Sequence, residues 1–205
     1  MMAHNHVMKK FGYPTKSTED IRNLVGKGAG ALIGRSIWGQ AKREFSKVLD
    51  EKIKEEMVKE FVSFYGKNIV NESTLVTGVK EFLIWCKEQN ISMAVCTNKQ
   101  EHLSNDLLKK IGIYDYFEYV AGSDTFDYCK PDPRHLTSVI EILDGDVKKS
   151  IMIGDSETDA NAAKAAEIPI ILLEDGYTEK NKDEIYHNHL IKDFIGIEKI
   201  ISEYL

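Results

Sequence analysis

Ile151-Met152-Ile153-Gly154-Asp155-Ser156-Glu157-Thr158-Asp159 is the stretch on which the fold of this 205-residue chain turns. Three apolar residues bounded by a turn signal read as a strand buried on both faces, the kind found in parallel sheets. Gly154 lets the backbone turn sharply and lets a ligand come close. Asp155 and Asp159 then stand at the carboxyl end of that strand, where open α/β sheets place their sites. Hard carboxylate oxygens at such a point suit Mg²⁺.

Outward from this segment, helices alternate with short apolar runs. Strands are expected over residues 91–96, 118–121, 150–153, 168–173 and 189–194. Helices are expected over 100–111, 133–143 and 159–166, after a helical face formed by Val79, Phe82, Leu83 and Cys86. This alternation means βαβ units and a parallel sheet. The first seventy-odd residues read instead as helical throughout. Helices are expected over 3–11, from a capping box at Ser17 and Asp20, over 29–38 and over 50–65. In the last of these Ile53, Met57, Phe61, Phe64 and Tyr65 share a face. The expected organisation is a helical domain, 1–72, and an α/β domain, 73–205, joined near residues 71–77.

Hydrophobic residues make up 42% of the chain and charged residues 29%, enough apolar material for a core. A net charge of −6 without a basic stripe excludes a nucleic-acid partner. No run approaches a membrane span, and the start lacks an apolar signal-peptide core, so a soluble, cytoplasmic protein is expected. Cys86, Cys96 and Cys129 are too few and too scattered for a disulfide framework or a zinc site. His4-Asn5-His6 and His187-Asn188-His189 lack ligand partners at metal spacing and read as solvated surface histidines. Residues 179–184 read as a solvated loop or helix start.

Three strand ends carry chemistry. Thr97 and Asn98 follow the strand at 91–96, Lys130 lies in Cys129-Lys130-Pro131-Asp132-Pro133, and Asp155 follows Ile153. Taken singly, each has a structural reading: a helix cap, a loop lysine, a turn residue. Together, a hydroxyl, an ammonium and a carboxylate on one sheet edge suit a phosphoryl group and its metal. Receiver domains of bacterial signalling use the same residue types, but their phosphorylated Asp comes first in the chain. Here the order is Thr97, Lys130, Asp155.

That order, with Val95-Cys96-Thr97-Asn98-Lys99, Lys130-Pro131-Asp132-Pro133 and Gly154-Asp155-Ser156-Glu157-Thr158-Asp159, resembles the second, third and fourth motifs of the haloacid dehalogenase superfamily. Within it the chain is similar to the phosphoglycolate phosphatases, with further matches at Val25-Gly26-Lys27-Gly28-Ala29 and Ala121-Gly122-Ser123-Asp124. The resemblance implies a Rossmann-like core with a parallel sheet and an α-helical bundle cap. It implies hydrolysis of a small phosphorylated metabolite through an aspartyl-phosphate, with Mg²⁺ as cofactor, by a monomer or weak homodimer. Thr97 and the Asn98 backbone would bind phosphate, and Lys130 would hold nucleophile and phosphate together. Asp155 would ligate the metal, and Asp159 would order its surroundings from one shell out. Gly26, Lys27 and Gly28 would lie on the cap face over the substrate.

The family's first motif, Asp-x-Asp-Gly-Thr, supplies the nucleophile and the general acid from a strand ahead of the cap. It does not occur in these 205 residues; the Asp-Gly pairs at Asp144-Gly145 and Asp175-Gly176 do not open one. The resemblance places the absent strand between those bearing Thr97 and Asp155, so two inner edges should stand unpaired. The expectation is a marginally stable, inactive chain unless extended upstream. A non-catalytic fragment or phosphate-binding pseudoenzyme is one alternative, and a sugar-phosphate mutase of the same superfamily another.

Overall fold

The computed structural model describes residues 1–22, 24–26, 28–41, 51–70, 74–176, 178 and 180–204. It divides into two units, Met1–Ile69 and Val70–Leu205. Lys27 and residues 71–73 of the expected joint lie outside the described residues.

The first unit holds α1 (Met2–Lys10), α2 (Thr18–Arg22), α3 (Gly28–Ala41) and α4 (Glu51–Lys67). Val7 and Met8 of α1, Ile33 and Ile37 of α3 and Met57 of α4 form its core, with Phe11, Tyr13, Val58 and Phe61 around them. The apolar face expected on α4 is only partly buried: Met57 is fully enclosed, whereas Ile53 is exposed. The capping box before α2 forms, with Asp20 N–H on Ser17 Oγ and Ser17 N–H on Asp20 Oδ2. Of the two histidines of α1, His4 is enclosed, contrary to expectation, whereas His6 keeps 35% of its side chain exposed. His4 is buried and hydrogen-bonds Ser36 at 2.7 Å. His6 hydrogen-bonds Glu60 at 2.7 Å and stacks on Phe64. A nine-residue helix turns enough of its polar positions toward α3 and α4 that these rings become packing groups.

The second unit runs α5 (Val79–Glu88), β1 (Ala94–Cys96), α6 (Glu101–Lys110), β2 (Tyr119–Ala121), α7 (Arg134–Ile142), β3 (Met152–Gly154), α8 (Glu157–Ala165), β4 (Ile170–Leu173), β5 (His189–Ile191) and α9 (Ile197–Ile201). All strand pairs are parallel, as the alternation requires. The strands are shorter than their apolar runs. In β4 the cause is local: Ile168 N–H closes α8 on Ala163, and Pro169 has only a carbonyl to give, accepting from Met152. Two helical layers cover the strands. Cys96, Met152, Ile170 and Leu172 face α7 and α8. Ile151, Ile153 and Ile171 face α5 and α9, and Val95 and Val120 face α5 and α6.

The strands do not form one sheet. β1 pairs with β2, and β3, β4 and β5 form a second sheet in that order. The pairing fixes which way each peptide points. Met93 and Thr97 bond toward β2, so the N–H and C=O of Ala94 and Cys96 point the other way. Met152 bonds toward β4, so Ile151 and Ile153 present theirs to the opposite side. Among the described residues no strand pairs with either of these edges. Both nonetheless lie between the same helical layers, since Cys96 and Met152 share one core cluster and Met93 and Ile153 another.

Candidate active site at the strand ends

The carboxyl ends of β1 and β3 are tied together by one side chain. Lys130 is 6% exposed. Its ammonium donates to Cys96 O at 2.5 Å, on the edge that faces away from β2, and to Asp159 Oδ1 at 2.6 Å, at the start of α8. Its backbone carbonyl accepts from Asn98 Nδ2 at 2.8 Å, and its N–H rests on His135 Nδ1 at 3.2 Å. Thr97 lies at the same end of β1. Its N–H closes on Ala121 O, and its hydroxyl oxygen accepts from Lys99 N–H. The helix-cap role expected of Thr97 taken alone does not form: Gln100 is the N-cap of α6, and the Thr97 hydroxyl makes a local turn bond instead.

Asp159 is the most heavily committed group here. Oδ1 takes Lys130. Oδ2 accepts from Ser156 Oγ at 2.7 Å, Ser156 N–H at 3.0 Å and Asp155 N–H at 3.1 Å. Ser156 returns the favour as N-cap of α8, completing a capping box. Burial pushes the Asp159 pKa up, but Lys130, Ser156 and the Asp155 N–H outweigh it and hold the carboxyl below its ordinary value. With both oxygens so occupied, Asp159 acts by fixing the turn that carries Asp155. Among the described residues no group of three or more His, Cys, Asp or Glu is placed to hold a metal ion. Asp155 is the acid at this strand end best suited to ligate one, and further donors would have to join it.

Sequence reasoning missed Ser156, His135 and Lys182. Lys182 comes from the stretch read as a solvated loop or helix start; it opens a single 3-10 turn, Lys182–Glu184, and its ammonium donates to Asp155 O at 2.8 Å. It faces the charges of Asp155, Asp159 and Asp175, while burial pulls its pKa below the usual lysine value. Asp175 thus also acts on a lysine of this site. No local pattern announces Lys182; the spacing Ser156-x-x-Asp159 could have announced the cap. Gly26 and Gly28 belong to the helical unit, with φ of 100° and 83° at the entry to α3. Burial pushes the Cys96 thiol up, to about 11.

Two glycines make this packing possible. A Cβ on Gly154 would stand 2.5 Å from Asp159 Cβ, and one on Gly176 would stand 1.7 Å from Asp155 O and 2.6 Å from Lys182 Nζ. Gly154→Ala and Gly176→Ala should each lower unfolding free energy by about 1–3 kcal/mol, as other overpacked sites do. Urea titration of each variant against the parent chain checks this, and unchanged midpoints would refute it.

A family model for haloacid dehalogenase-like hydrolases matches residues 1–173. The chain is 33% identical over 201 residues to a phosphoglycolate phosphatase from Mesorhizobium japonicum, covering 98% of this chain and 86% of that one. It is 36% identical over 204 residues to a phosphoglycolate phosphatase from Agrobacterium fabrum, covering 97% and 85%. Among solved structures, a predicted phosphoglycolate phosphatase from Haemophilus somnus aligns with a TM-score of 0.90 at 28% identity, over 97% of this chain and 88% of that one.

Proposed function

The chain belongs to the haloacid dehalogenase-like hydrolase family, and we propose that its α/β unit is the phosphate- and metal-holding part of a phosphatase for 2-phosphoglycolate. One observation carries the reading: Lys130 bridges the carboxyl ends of β1 and β3, with Thr97 and Asp155 ending those same strands. In the proposed reaction a carboxylate attacks phosphorus, the P–O ester bond breaks, and the leaving oxygen takes a proton from a second carboxyl group. Water then cleaves the aspartyl-phosphate. Lys130 and Thr97, with the Asn98 backbone, hold the phosphoryl oxygens. Mg²⁺ would be held by Asp155 together with a carboxylate from the attacking strand, and would offset charge on the phosphoryl group. Asp159 keeps Asp155 in place.

These 205 residues contain no Asp-x-Asp-Gly-Thr. The nucleophile and the acid would come from a parallel strand seated between β1 and β3, whose inner edges lie between shared helical layers. Without that strand the same groups bind phosphate and turn nothing over. The relatives' names favour 2-phosphoglycolate as substrate. Three free cysteines suit a reducing cytoplasm.

A panel of phosphomonoesters, assayed with Mg²⁺ on a protein that includes such a strand, tests the substrate. 2-Phosphoglycolate should exceed glycerol phosphate and hexose phosphates in kcat/KM by about tenfold or more, the discrimination a few polar contacts supply. Isomerisation of a sugar phosphate without phosphate release would show a mutase instead.

A further inference from the structure

A hydrogen-bonded chain runs from α6 through the loop after β2 to the start of α8. Thr125 Oγ1 donates to Glu101 Oε2 at 2.6 Å and accepts from Gly122 N–H at 2.8 Å. Gly122 O lies 3.1 Å from His135 Nε2, and Lys130 N–H donates to His135 Nδ1 at 3.2 Å. Lys130 Nζ then reaches Cys96 O and Asp159. His135 is fully buried on the first turn of α7, with the Phe126 ring edge-on at 5.9 Å. Since Nδ1 accepts, the proton sits on Nε2 and Gly122 O receives it. An imidazolium would have no acceptor to offer Lys130. Burial and the Lys130 charge both keep the ring neutral.

We propose that His135 is a positioning residue for Lys130. Its neutral ring pins the Lys130 backbone N–H against the Gly122 turn and so aims the ammonium at Cys96 O and Asp159. The two stretches it joins, the Gly122 turn and the Lys130 segment, lie toward opposite ends of the one loop between β2 and α7, which has no helix or strand of its own to hold them together. The ring is more than core filling, because both nitrogens are used and both bonds hold the loop that carries Lys130.

The test uses the 205-residue chain and ¹⁵N NMR. At neutral pH the His135 ring should show a protonated Nε2 and an acceptor Nδ1; an imidazolium or an Nδ1–H tautomer overturns the proposal. The Lys130 ammonium should give a slowly exchanging ¹⁵N signal in the parent chain. His135→Asn, whose amide oxygen can stand in for Nδ1, should keep that signal, and His135→Phe should lose it. Retention in His135→Phe overturns the proposal. If His135→Phe does not fold cooperatively, His135→Gln, which reaches Gly122 and not Lys130, takes its place with the same expectations. Inorganic phosphate should bind about tenfold more weakly to the variant that loses the signal, the cost of one buried unmade hydrogen bond. This last arm rests on Lys130 being a phosphate ligand. Loss of the ammonium signal with unchanged phosphate affinity supports the positioning role and counts against that ligand reading.

Discussion

Joining an apolar strand ending in Asp-x-Asp-Gly-Thr ahead of residue 1 should raise Mg²⁺-dependent hydrolysis of 2-phosphoglycolate on the order of a millionfold over residues 1–205 alone, the scale of removing a nucleophile from an enzyme. Ala94 and Cys96 on one side and Ile151 and Ile153 on the other turn their peptide groups toward the added strand. Helices cover both faces of the gap. The strand should therefore also raise the thermal unfolding midpoint, because it completes two ladders at once. Changing its first Asp to Asn should keep the gain in stability and remove the gain in rate. Equal turnover by the extended and unextended chains would sink the assignment of the nucleophile to that strand. A rate gain that survives the Asn change would sink it as well.

The second large effect is expected at the buried ion pair. Lys130→Met should destabilise the chain by about 3–5 kcal/mol at neutral pH, because it leaves the Asp159 carboxylate enclosed without its cation. Pairing Lys130→Met with Asp159→Asn should cost less than the sum of the two single changes, since the orphaned charge is then gone. The pH dependence has a definite sign. The folded carboxyl titrates below its unfolded value. Its stabilisation is therefore complete above the ordinary aspartate range and is lost as pH falls through the folded pKa. Lys130→Met takes away the chief lowering influence and leaves burial, which raises the pKa. The gap in stability between parent and variant should then be widest near neutrality and close in acid. Urea titrations from pH 7 down to about pH 3, the lower end of carboxylate titration, measure it. A gap that does not change with pH would mean that Lys130 acts through packing alone.

Much of this was legible in the sequence, and the misses share a cause. Gly154-Asp155 announced a strand end because its signal is local: an apolar run, then a residue without Cβ, then an acid. Thr97 and Lys130 were legible for the same reason, each in a short run next to a strand or a proline. The run of small residues after Asp159 puts the expected start of α8 at that residue. In fact the side chain reaches back to Ser156 and the helix begins at Glu157. Lys182 reaches Asp155 across 27 residues of chain, and His135 was only one polar letter in a helical run. His4 looked solvated because periodicity says which residues can be buried, not which polar ones will be enclosed. Contacts made by long side chains between distant loops leave no period in the sequence.

The capping box at α8 has a consequence for how such chains change over generations. Asp159 starts a helix, holds Lys130 and shapes the turn at Asp155. A lineage that no longer needed the reaction would still lose the protein if it lost this residue. Selection for a stable fold alone would keep Lys130, Ser156 and Asp159 in place. Their persistence in a descendant therefore testifies first to folding.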